Sequence, residues 1–206
     1  MKKEIKLSKS MTESDFDNGY WYAFEIKAFA KEIGIPLAVK LRKDELEKII
    51  KIFLRTGKIE NPKRKNISKS KIKDLEKGLS LNLPIDNYTS NRITKDFILK
   101  EALKIAPNLK RKSGVSYRLN RWREEQINKG RKITYGDLVR QYVKLNQVEG
   151  KFEKVPVVRY INFLSEYLAK EKNSSRKHAI AAWNELKKLN IPKMYEAWKK
   201  YTNSQK

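Results

Sequence analysis

An all-α protein is predicted for these 206 residues, and three features of the sequence predict it. Apolar side chains recur at intervals of three and four through successive stretches, the spacing that lines one face of a helix. Glycine, proline and short polar residues fall between those stretches, where helices start and stop. Hydrophobic residues make up 39% of the chain, enough to bury a core without the help of disulfides, since no cysteine occurs. The expected architecture is an N-terminal helical hairpin and a separate C-terminal helical region.

Taken in order, residues 1–19 read as a polar arm ending in Asp15-Phe16-Asp17-Asn18-Gly19. Tyr20, Trp21 and Tyr22 are expected to pack onto the first helix. Residues 20–56 form the hairpin. Tyr22, Ile26, Phe29, Ala30 and Ile33 share one face of its first helix, and Leu46, Ile49, Ile50 and Phe53 share one face of its second. Gly34 stands where a helix end favours positive φ, and Pro36 cannot continue that helix. Asp44 and Glu45 fall near the second helix start, where the dipole favours negative charge. Lys40, Arg42 and Lys43 are expected to project from the junction, an arrangement suited to a phosphate backbone.

This hairpin resembles a SAP domain, the helix-extended-loop-helix module. The residues that carry the resemblance are Ile26-Lys27, Phe29, Gly34-Ile35-Pro36, Lys40, Lys43-Asp44-Glu45-Leu46 and Ile50, within residues 24–54. Many SAP domains place a glycine just before the basic turn residues, whereas Val39 and Leu41 flank Lys40 here. The resemblance implies binding to double-stranded DNA, with a leaning toward A·T-rich sequence and no strict consensus. The side chains expected at the DNA are Lys27, Lys31, Lys40, Arg42 and Lys43 of the hairpin, then Lys63, Arg64 and Lys65 of the next segment, and Arg118 and Arg121 further on.

Residues 57–90 read as a basic linker. Its first part, 57–73, holds seven basic residues against one acidic residue, with Gly57 and Pro62 as breakers. It serves either as a solvated connector or as a strap that adds phosphate contacts.

Residues 91–150 form a helical block. Phe97, Ile98, Ala102, Leu103 and Ile105 give an apolar face that ends before Pro107. Tyr117, Leu119, Trp122 and Ile127 interleave with Arg118, Arg121 and Arg123. Arg118 and Arg121, three apart, share a helix face. Beside Tyr117 and Trp122 they either hold a phosphate backbone and stack on a base, or coat the surface over a core tryptophan. Thr134 is placed to cap the next helix, with Asp137 three residues on. The layout of Ile93, Phe97, Tyr117, Trp122 and the 130–138 segment is similar to the region after the SAP motif in an uncharacterised bacterial SAP-protein family, which implies an architecture and no reaction.

Residues 151–206 read as three helices, at about 157–170, 175–189 and 192–201, with Ser174 as an N-cap and Pro192 in a first turn. Pro156, Tyr160 and Phe163, then Trp183, then Tyr195 distantly resemble an HMG box. That resemblance implies an apolar wedge for the minor groove near Val157, Val158 or Ile161. The 20 residues from Phe163 to Trp183 fall about two turns short of the family pattern.

The charge agrees with an anionic partner. Lysine and arginine number 48 against 24 acidic residues, a net charge of +24. An A-rich genome inflates lysine and glutamate alike, so composition bias does not explain a two-to-one excess. Phosphate neutralisation with counterion release would supply most of the affinity. RNA or a protein partner using the same basic surface remains an alternative to double-stranded DNA.

Catalysis is not expected. His178 is the only histidine, which disfavours triads and paired-histidine metal sites. Arg55-Thr56-Gly57-Lys58 lacks the upstream glycine of a phosphate-binding loop, and Asp15, Asp17 and Gly19 lack the spacing of a calcium loop. No metal or cofactor is expected. The start has no apolar signal core and no run reaches the ~20 apolar residues of a membrane span. The lysine-rich tracts are scattered and form no single nuclear-localisation patch, so the expectation is a bacterial or phage-like, cytoplasmic, nucleoid-associated protein.

Overall fold

The structure, a computed structural model, describes residues 6–62 and 71–205. Nine α-helices order them: α1 (Glu13–Asn18), α2 (Ala23–Glu32), α3 (Lys43–Thr56), α4 (Arg92–Ile105), α5 (Val115–Asn128), α6 (Tyr135–Gln147), α7 (Arg159–Lys170), α8 (Arg176–Leu186) and α9 (Tyr195–Asn203). Among the described residues there is no strand, only an isolated bridge between Pro84 and Thr134. The class is all-α.

The chain divides into two compact units, Met1–Lys63 with Glu153–Lys206 and Arg64–Phe152. The C-terminal helices, expected as a separate region, thus belong with the N-terminal hairpin. Charge and aromatic contacts join the two. Arg159 of α7 reaches the α1–α2 connection, and Tyr20 meets Trp183 edge-on at 4.9 Å.

The expected polar arm contains a folded helix. The Thr12 hydroxyl accepts from Asp15 N–H at 3.0 Å, and the Asp15 carboxylate accepts from Thr12 N–H, which closes a capping box. Phe16 then falls on the inner side of α1 and is fully buried. The Trp21 indole stacks on it and donates to the Phe16 carbonyl at 2.8 Å. A Cβ at Gly19 would lie 2.1 Å from that indole, so no larger residue fits without displacing Trp21.

Tyr22 leaves the apolar face expected of it. α2 begins one residue later, so Tyr22 is the extended N-cap, and its side chain is 47% exposed. The inner face of α2 is Ile26, Phe29 and Ala30, which meets Leu46, Ile49 and Ile50 of α3. Full burial of a side chain such as Ile26 or Ile50 is worth about 1.5–3 kcal/mol. α2 ends as its sequence requires: Gly34 takes φ +86°, and Ile35 N–H returns to the Ala30 carbonyl at 2.8 Å.

In the C-terminal half of this unit, Phe163 of α7 is fully buried among Trp183 of α8 and Tyr195 and Trp198 of α9. Two boundaries move. Ser175, not Ser174, caps α8: its hydroxyl accepts from His178 N–H at 3.3 Å while His178 Nδ1 accepts from Ser175 N–H. α9 begins at Tyr195, beyond Pro192, because the Pro192 carbonyl is taken by Met194 N–H and Lys193 turns inward.

In the second unit, α4, α5 and α6 surround Ile98, Ala102, Val115, Leu119, Tyr135, Leu138 and Val139. Thr134 caps α6 with Asp137 in the reciprocal position, as its spacing predicts. Leu103 and Ile105 lie outside the core despite the expected apolar face, at 38% and 57% exposure. The segment expected as linker is folded from about Asp74 onward. Leu79, Leu83, Ile85 and Tyr88 cover the core, and Ile85 N–H, Tyr135 N–H and Gly136 N–H bond across to Ile133, Leu83 and Leu81 carbonyls. Asp74 is completely buried and fixes the turn that starts this segment.

Candidate nucleic-acid interface

The α2–turn–α3 hairpin places its basic residues unequally. Lys31 is exposed on α2 and Lys27 half-buried one turn before it. After Gly34, the chain bends through Leu37, which holds φ +56°. For a branched, bulky residue that conformation costs about 1–2 kcal/mol. The Leu37 carbonyl accepts from Lys40 N–H at 2.8 Å and from Leu41 N–H at 3.2 Å, so the bend is a closed turn. It directs Ala38 and Leu41 into the core and leaves Val39 and Lys40 outside. Leu41 is a core anchor at 2% exposure.

Arg42 is half-buried as the extended N-cap of α3, and its N–H donates to Glu45 at 2.7 Å. Lys43 does not project. Its Nζ donates to the Trp21 carbonyl at 2.6 Å, sits 5.2 Å from the Tyr20 ring centroid and 3.7 Å from Glu47. Burial pushes its ammonium below the ordinary lysine range, and Glu47 pulls it partly back. An ammonium already bound to a backbone carbonyl and a carboxylate is poorly placed for phosphate. The turn lysine accessible from outside is Lys40.

Lys63, Arg64 and Lys65 lie outside the described residues. In the second unit, Arg118 and Arg121 occur on the outer side of α5, each against an aromatic ring. The Arg118 guanidinium lies 4.0 Å from the Phe152 ring centroid, and Arg121 donates to the Tyr117 hydroxyl at 3.2 Å. Trp122 packs against the core while Tyr117 is 39% exposed, so the two aromatics part company. Arg123 stacks on Tyr88 at 3.9 Å. Of the residues proposed for an HMG-like wedge, Ile161 is 54% exposed, Val158 37% and Val157 half-buried.

An ionic network lies behind the hairpin. Glu47 of α3 is buried, 3.7 Å from both Arg159 and Lys43, and burial raises its carboxyl above the usual range against the pull of those two cations. Lys51 bridges to Asp17 at 2.6 Å and to Glu13 at 3.3 Å. Lys193, in the α8–α9 connection, is 4% exposed and donates to the carbonyls of Asn18, Leu189 and Ile191. Neither Arg159 nor Lys193 stands out from 48 basic residues in the sequence.

The signal that sequence reasoning passed over is aromatic. Phe24, one position inside α2, is 71% exposed and stacks on Tyr22 with ring centroids 5.8 Å apart and planes 11° apart. Its offset from the Ile26, Phe29, Ile33 stripe is legible in the sequence. Among the described residues, no group of three or more histidine, cysteine, aspartate or glutamate side chains is arranged to hold a metal ion, and no helix is long and apolar enough to cross a membrane. No family model, curated protein or solved structure matches the chain.

Proposed function

We propose that this chain is a DNA-binding accessory protein that engages duplex phosphates through the α2–turn–α3 hairpin, without catalysing a reaction. The observation that carries this reading is the net charge of +24 combined with Lys31 and Lys40 exposed on one small hairpin. Exposed lysines on a helical hairpin suit recognition of backbone position and groove shape more than of base edges. A leaning toward A·T-rich sequence, from the SAP resemblance, belongs to the same proposal, as does a nucleoid-associated place in a bacterial cytoplasm. Arg118 and Arg121 supply further phosphate contacts from the second unit.

The test is binding of A·T-rich duplex, G·C-rich duplex and structured RNA across a salt series. Duplex DNA should bind tightest, with log affinity falling linearly with log salt. Lys31→Glu with Lys40→Glu should weaken duplex binding about tenfold or more near 0.1 M salt and flatten the salt slope. Unchanged affinity and slope would remove the hairpin as the site. Tighter binding to RNA would replace DNA as the ligand.

A further inference from the structure

The ring of Phe24 is the most exposed of the large apolar side chains described, and it is not isolated. Trp183 in the core meets Tyr20 edge-on at 4.9 Å, Tyr20 meets Tyr22 edge-on at 5.2 Å, and Tyr22 stacks on Phe24. The four rings form a ladder from interior to solvent, so the outer pair is braced by the core. Side-chain contacts brace it too. Glu25 accepts from Tyr22 N–H at 2.6 Å, and Lys43 Nζ rests against the Tyr20 ring.

Past Phe24, the outward side of α2 carries Ala28 and Lys31, one and two turns on, with Lys27 beside them. Ala28 is exposed and small, leaving the ring face unobstructed along the helix. The two lysines therefore lie one and two turns from the ring, at about 5 and 10 Å along the axis. Successive nucleotides of a single strand present phosphates on that scale. The Glu25 carboxylate is turned back onto the helix start by its bond from Tyr22 N–H, and Glu32 lies 3.9 Å from Lys9, which offsets part of its charge.

We propose that Tyr22 and Phe24 are a stacking ledge for an unpaired base of single-stranded DNA, with Lys27 and Lys31 on its phosphates. An exposed ring beside cations fits this occupant in particular. Every base offers a π face, the backbone supplies the negative charge that a basic surface needs, and a paired base is hidden within the duplex. The inference rests on the DNA-binding reading and sharpens it: the preferred ligand is DNA in which paired and unpaired stretches meet, and the ledge holds the unpaired part.

Fluorescence anisotropy with the full chain and three probes tests it: a blunt duplex, the same duplex with a single-stranded DNA tail, and the same duplex with an RNA tail. The DNA-tailed probe should bind roughly tenfold tighter than the blunt one, the scale of one base on an aromatic ring. Phe24→Ala should erase that preference and leave the blunt duplex unaffected, whereas Phe24→Trp, which keeps a stacking face, should retain it. Equal binding of blunt and tailed probes overturns the ledge and leaves duplex binding standing. Failure to bind any of the three overturns both readings. Stronger binding of the RNA tail overturns the choice of DNA. Concentration-dependent self-association abolished by Phe24→Ala, with tailed binding unchanged, would give the ledge to a second copy of the chain and overturn the proposal.

Discussion

Arg159 donates from Nη1 to the carbonyl of Gly19 at 2.8 Å, across 140 positions of sequence. The same nitrogen reaches the Asp17 carbonyl at 3.2 Å, and Nη2 lies 3.7 Å from Glu47. One guanidinium thus satisfies the chain leaving α1, compensates a buried carboxylate of α3 and ties both to the start of α7.

Arg159→Met should destabilise the first unit by about 3 kcal/mol, the cost of removing one partner from a buried charge pair. Urea unfolding followed by tryptophan fluorescence reads this directly. Adding Glu47→Gln should restore part of the loss, since no uncompensated carboxylate is then left inside. Additive losses in the double variant would show that the two side chains are not coupled.

Glu47 gives that network a pH dependence. Burial raises its folded value above the ordinary 4.5, against Arg159 and Lys43 and with Asp17 adding to the rise. The folded state therefore holds the proton more tightly than the unfolded one. Its contribution to stability is complete below 4.5 and is lost as pH rises through the raised folded value. Relative to Glu47→Gln, the wild-type chain should lose stability as pH increases across that window. A difference between the two chains that stays constant with pH would contradict this.

How much was legible in the sequence follows from which forces are local. α2, α3 and α6 follow from periodicity and caps, because Ile26, Phe29, Ile50 and the Thr134–Asp137 pair act within a few residues. The folding of residues 6–19 was hidden because Phe16 is a lone aromatic among polar neighbours, made a core residue by Trp21 and α3. The covering segment after Asp74 was hidden because its bonds run to Ile133 and Tyr135, some 50 to 60 residues on. In the candidate site, Lys40 is exposed as its turn suggests, while Lys43 is turned inward by the Trp21 carbonyl, a partner that no spacing rule identifies.

Lys193 should make the first unit more stable in mild alkali. Burial, with Arg159 adding repulsion, pushes its ammonium down to about 8 from 10.5. Between those values the unfolded chain binds the extra proton, so stability rises with pH and is lost again as pH falls through 8. The melting temperature should climb between about pH 8 and 10, and Lys193→Met should flatten that climb. An identical profile in the variant would show that the ammonium stays charged on its three carbonyls throughout.

Asp74→Ala should open the second unit. The carboxylate accepts from Asn87 N–H at 2.8 Å, Asp86 N–H at 3.2 Å and the Tyr135 hydroxyl at 3.3 Å, all with no exposure of its own. Desolvation and the neighbouring Asp74 charge raise the Tyr135 phenol, so the hydroxyl remains the donor. Removing the acceptor strands these donors at about 1–3 kcal/mol for each one left buried. Hydrogen exchange should speed up at Asp86 and Asn87 before it does in α4–α6. Uniform acceleration across the unit would mean that the covering segment and the helices unfold together.

On the proposed reading, Lys43 and Lys40, three residues apart, should separate a structural cation from a binding one. Lys43→Met forfeits the bond to Trp21 and uncovers one side of Glu47, so it should lower stability by about 1–3 kcal/mol. Its effect on duplex affinity, measured well below the melting temperature, should be small, and the salt slope should match that of the unaltered chain. Lys40→Glu should act on binding, reducing the slope by about one counterion. The contrast depends on exposure, since both carry the same formal charge but Lys40 is exposed and Lys43 is half-buried. If Lys43→Met instead lowers the slope as much as Lys40→Glu does, then Lys43 swings outward when DNA binds, and the Trp21 carbonyl holds it only in the free protein.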